Sequence, residues 1–107
     1  MPSRKELVRT EILFREVNEH IVELTDAGQT GEPVILLCEC GRPDCLVQIE
    51  VTAAVYAAVR EHATYFIVLP GHVAPEIERV VHREDRYLVV EKVGSAGELA
   101  REHEPEA

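Results

Sequence analysis

Three cysteines fall within one eight-residue segment, Cys38-Glu39-Cys40-Gly41-Arg42-Pro43-Asp44-Cys45. Zinc is held by thiolates and imidazoles at about 2.0–2.3 Å in a tetrahedron, so its ligands must converge from sharply turning backbone. In an extended segment, residues two apart share a face, which points Cys38 and Cys40 the same way. Gly41 allows a positive φ directly afterwards, and Pro43-Asp44 supplies a second turn that returns Cys45 toward the other two. The plainer alternative is three small buried hydrophobes. That accounts for Cys38 at the end of an apolar run, but not for three thiols around a Gly/Pro turn, where reduced thiols without metal are prone to oxidation. A structural zinc ion follows as the expected cofactor, with Cys38, Cys40 and Cys45 as metal ligands.

The fourth ligand must come from elsewhere. Five histidines compete for it. His20 sits beside an apolar helical stripe, His62 near a helix end, His82 in a charged hairpin and His103 in the tail; each has an ordinary structural explanation. His72 follows Pro70-Gly71 at the end of the strongest strand, where ligand residues are commonly placed. It is the expected fourth ligand, subject to topology. If residues 34–38 and 65–69 are parallel strands of a βαβ unit, Cys38 and His72 emerge at the same edge. If residues 46–51 form a full hairpin strand instead, the end of 65–69 falls at the far edge, and a folded-back loop, Glu39, Asp44 or a water must complete the set.

The elements that position these residues read as α+β. Ser3 and Glu6 fit a capping box. Beyond them Leu7, Thr10, Phe14, Val17, Ile21 and Leu24 recur at helical spacing, predicting an amphipathic helix of about six turns with that stripe inward, ending near Asp26-Ala27-Gly28. Residues 29–33 form a loop. Val34 to Leu37 is an unbroken apolar run leading into the cysteines, and 46–51 alternates as a short strand. Thr52 caps a second helix reaching about His62, with Val55, Tyr56 and Val59 inward. Tyr65 to Leu69 is the clearest strand. Residues 77–92 read as a hairpin around Arg83-Glu84-Asp85-Arg86, although Pro75-Glu76 also suits a short helix start. Gly94 to Gly97 breaks the chain, and the acidic tail from 98 frays or forms a surface helix. The expected architecture is one zinc-stabilised domain over 1–107, its tail partly flexible. Its sheet is small, mixed or antiparallel, with about four strands and two helices packed on it, and the zinc knuckle lies at a sheet edge.

Composition narrows the function classes. Eleven basic residues against twenty acidic ones give a net charge of -9, which phosphate backbones repel, so nucleic acid is a poor partner. The longest apolar run is far too short for a bilayer, and the first thirty residues lack a signal-peptide pattern, so no membrane is expected and a cytoplasmic location follows by default. Without tryptophan and with five aromatic residues, the core is built of Val, Leu, Ile and Ala, and a metal cross-link adds useful stability.

Cys38-Glu39-Cys40-Gly41 with Cys45, Pro70-Gly71-His72, Asp85-Arg86-Tyr87-Leu88-Val89-Val90-Glu91-Lys92 and Arg15-Glu16-Val17-Asn18-Glu19 together resemble a family of small actinobacterial proteins of unknown function. The resemblance runs from about residue 12 to residue 100 and implies that the CxCGx3C segment and the PGH histidine act as one constellation. It carries no activity. Ala54-Val55-Tyr56 departs from the pattern, which tends to carry an acidic residue before the tyrosine; no site residue is affected.

Three functions fit these features. A closed Cys3His site argues for a protein-interaction or regulatory module whose partner is another protein or a second copy of the chain. A thiol-based redox or zinc-level sensor would use the same residues. A zinc enzyme would need Glu39 as general base, yet an extended Cys-Glu-Cys segment turns that side chain from the metal face.

Overall fold

A computed structural model describes residues 3–24, 33–42, 45 and 47–103. The expected helix end at Asp26-Ala27-Gly28, the loop 29–32, the turn at Pro43-Asp44, Leu46 and the end of the tail lie outside them. Helix α1 (Arg4–Leu24) is followed by β1 (Pro33–Leu37), β2 (Gln48–Thr52), α2 (Ala53–Arg60), β3 (Tyr65–Val68), β4 (Glu78–Arg83), β5 (Leu88–Lys92) and α3 (Gly94–Glu102). The class is α+β. The five strands form two antiparallel sheets rather than one sheet of four: β1 pairs with β2, and β3, β5 and β4 lie in that order. No helix of the described residues is long and apolar enough to cross a membrane.

The local rules operate at most element starts. Ser3 Oγ accepts from the Glu6 amide at 3.1 Å and opens α1. Thr52 Oγ1 accepts from the Val55 amide at 3.2 Å and opens α2. In α2 Tyr56 and Val59 are buried, whereas Val55 faces outward. The 77–92 hairpin forms with a register shift between Val80 and His82. That bulge, with Arg79, His82 and Arg83 along β4, blunts the open edge of the larger sheet.

Two elements depart from the sequence expectation. The inward face of α1 carries Val8, Glu11, Ile12, Arg15 and Asn18, not the stripe from Leu7 to Leu24. Three of these five are polar, and hydrophobic periodicity cannot register a face that is buried through hydrogen bonds and ion pairs. Leu7, Phe14 and Ile21 are half-buried along the flank, while Val17 and Leu24 are exposed. The second departure is Gly94–Gly97, which begins α3 and does not break the chain. A Cβ on Gly97 would lie 2.8 Å from the Lys92 carbonyl oxygen. The glycine therefore allows α3 to close tightly on the end of β5, and Ala96 and Ala100 join the core.

Candidate metal centre

The order of strands contradicts a parallel βαβ unit: β2 is a true hairpin partner for β1, with Val34 opposite Val51 and Leu36 opposite Ile49. The expected consequence, Cys38 and the end of β3 at opposite edges, does not follow. The chain leaving β1 crosses from one sheet to the other. The Cys38 amide still donates to Val47 O at 3.0 Å, beside β2, whereas the next amide, Glu39, donates to Ile67 O at 2.8 Å on β3. This one-residue step sets Cys38 beside the end of β3, and the Leu69 amide donates to Cys38 Sγ at 3.2 Å. Two residues past Pro70, the His72 amide closes a turn on Leu69 O at 3.0 Å. His72 is thereby carried back over the thiols.

One ligand atom from each of Cys38, Cys40, Cys45 and His72 lies within 4.8 Å of the other three, a group able to hold a metal ion. His72 Nδ1 is 3.7 Å from Cys38 Sγ and 3.5 Å from Cys45 Sγ. Zinc–sulfur and zinc–nitrogen bonds in a regular tetrahedron place sulfur and nitrogen about 3.6 Å apart. Cys38, Cys40 and Cys45 are buried at 0%, 4% and 5% exposure, and the histidine is half-buried. Among the described residues His72 is the histidine brought to the thiols; His20 pairs with Glu23 at 3.5 Å, His62 stacks on Tyr65 and His82 bonds Glu84 at 2.8 Å.

The cluster favours negative sulfur. A hydrogen bond from the Cys38 thiol, with smaller help from the Arg42 amide, His72 and Cys45, pulls Cys40 down to about 4 against the cost of burial. The same bond and burial push Cys38 up, the Leu69 amide opposing. A bound cation would displace the thiol protons and hold the sulfurs as thiolates. Gly41 holds φ +74° and lies against α1: a Cβ there would stand 2.5 Å from Glu11 Cγ and 2.9 Å from Leu7 O. The knuckle is therefore pressed onto the helix at a point where only hydrogen fits.

Glu39, between two of the thiols, turns away from them as an extended segment requires. Its carboxylate is fully buried and accepts from Tyr56 Oη at 2.6 Å, Asn18 Nδ2 at 2.8 Å and the Ile67 amide at 2.9 Å. Burial raises its pKa, and these three bonds and the Arg60 charge hold it down in part. Burial and then the Glu39 charge raise Tyr56. Asn18 also donates to Leu37 O and accepts from the Leu37 amide, both at 2.8 Å. Asn18 satisfies the outer edge of β1, and Glu39 does the same for β3. Both side chains stand where a neighbouring strand's peptide would be.

A second buried polar group lies beyond Gly41. Lys92 Nζ is held between Glu11 and Glu78, all three 3% exposed or less. Arg15 donates to Ala63 O at 2.6 Å and Ala100 O at 3.3 Å, with its guanidinium 4.6 Å above the Phe66 ring. Sequence reasoning placed Tyr56 inward but missed its bond to Glu39, and it missed Asn18 and this charged group. The available signal was a polar line at 11, 15 and 18, spaced four and three apart along one face of the helix. No protein family model, curated protein or solved structure matches the chain. No family is identified, the likeness to small actinobacterial proteins stands only as a resemblance, and the metal centre rests on its own geometry.

Proposed function

We propose that Cys38, Cys40, Cys45 and His72 bind one structural zinc ion, and that the protein serves as a small interaction or regulatory module. The observation that carries this reading is the convergence of four soft donor atoms within 4.8 Å, from two separate segments. Three thiolates and an imidazole form a closed set that suits zinc and leaves no position for substrate. The ion would tie the chain leaving β1 to the loop after β3, a junction otherwise made by the Glu39 amide and carboxylate on Ile67 and by the Leu69 amide on Cys38 Sγ. A sensor that releases zinc on oxidation has less support, since cysteines at most 5% exposed are poorly reached by oxidants. Catalysis has less still, because the Glu39 carboxylate already takes three hydrogen bonds.

The test is metal content of the protein purified under reducing conditions without chelator. One zinc per chain is expected, lost in Cys38→Ser and sharply weakened in His72→Ala. Metal-free wild-type protein overturns the reading, and undiminished affinity in His72→Ala removes that residue from the site.

A further inference from the structure

With polar residues turned inward, α1 keeps a second apolar line on its opposite side. Leu13, Val17 and Leu24 are 55%, 37% and 86% exposed. With exposed His20, they are spaced four, three and four apart, the spacing of the a and d positions of a heptad seam. With Val17 and Leu24 at a and Leu13 and His20 at d, exposed Arg9, Glu16 and Glu23 take the g positions. The half-buried Leu7, Phe14 and Ile21 take e, on the flank nearer the core.

We propose that this face pairs with a second copy of the chain, the two α1 helices antiparallel about a two-fold axis. In that arrangement Leu13 packs on the partner's Val17 and Val17 on the partner's Leu13, so the apolar centre is made twice over. The same register sets Arg9 beside the partner's Glu23, again twice. Among the described residues Arg9 has no ion pair, and the Glu23 side chain, 70% exposed, pairs with His20 alone. A parallel pair would face the charged g positions with apolar e residues and lose this complementarity. Two elements oppose the pairing: Glu16 meets its own copy near the axis, and the same register sets Leu24 beside the partner's Glu6. Together with a net charge of -9 on each chain, this makes the dimer a weak one. The proposal names the partner for the interaction-module reading above.

Sedimentation equilibrium of the full chain, from micromolar to millimolar at physiological salt, tests it. The mass is expected to climb from 12.0 kDa toward twice that value. Leu13→Glu should hold the monomer mass with unchanged circular dichroism. Arg9→Glu and Glu23→Arg should each weaken pairing by about three- to tenfold, with the double exchange restoring it. Glu16→Lys should tighten it. A monomer at every concentration, a dimer that survives Leu13→Glu, or a double exchange weaker than either single one overturns the proposal. If Leu13→Glu unfolds, the charge exchange at exposed sites still decides. Zinc content measured on the same samples separates this failure from failure of the metal assignment.

Discussion

Asn18 Nδ2 lies 2.8 Å from Glu39 Oε2, a buried bond between the first helix and the residue flanked by two of the thiols. The same amide group holds both polar atoms of the Leu37 backbone. Replacing Asn18 by Leu leaves a buried carboxylate short of a donor and strips both Leu37 groups of their partner. Each buried group left unsatisfied costs about 1–3 kcal/mol, so a loss of about 3 kcal/mol is expected from urea unfolding. A loss below about 1 kcal/mol would mean that water replaces the amide.

Gly41→Ala tests the contact between knuckle and helix. The new methyl group meets Glu11 Cγ and Leu7 O at 2.5 and 2.9 Å, and φ at +74° adds backbone strain. A destabilisation of about 2–4 kcal/mol is expected. Zinc affinity should fall with it, because the strained knuckle also carries Cys40. Loss of stability with full zinc affinity would show that knuckle and helix are independent.

Glu11 gives the protein a pH dependence of definite sign. Burial raises its pKa from 4.5 to about 8, with Lys92 opposing and Glu78 reinforcing. Folding therefore takes up a proton at this site between those values, and its contribution to stability falls as pH rises through that window. Zinc ligation has the opposite slope, since thiols must lose protons to bind. The difference between wild type and Glu11→Gln isolates the carboxyl: wild type should lose stability relative to the variant from pH 5 to pH 8. A constant difference would place the Glu11 pKa at its ordinary value in the fold.

Removing the metal should loosen the junction between the sheets. A ligand present at about a thousand times its dissociation constant adds about 4 kcal/mol. A strong chelator is therefore expected to lower the melting temperature by roughly 10 °C or more. Cys45→Ser, melted without chelator, should fall to a similar value. An unchanged melting temperature after the metal has demonstrably left would remove its structural role.

What was legible in the sequence followed from residue types whose chemistry is local. The thiols around Gly41, the strand from Tyr65, the Thr52 cap and the hairpin near Arg83 each carry their signal within a few residues. The inward face of α1 was not legible, because Glu11, Arg15 and Asn18 are buried by partners at Lys92, Phe66 and Leu37, far along the chain. The split into two sheets was hidden for a related reason. It turns on one step at Cys38–Glu39, where consecutive amides serve different sheets. His72 was reached from its Pro-Gly turn, while the route that brings it to the thiols depends on that same step.

The separation of the ligands in the chain orders the assembly of the site during synthesis. His72 follows Cys38 by 34 residues and Cys45 by 27. When the three thiols leave the ribosome, neither the imidazole nor the Ile67 amide that seats Glu39 has yet emerged. A nascent chain offers an incomplete, solvent-open thiol trio until β3 and its loop emerge, and the complete donor set can close only afterwards. The exposed interval of these cysteines belongs to the unfinished chain, and burial ends it once the fold closes.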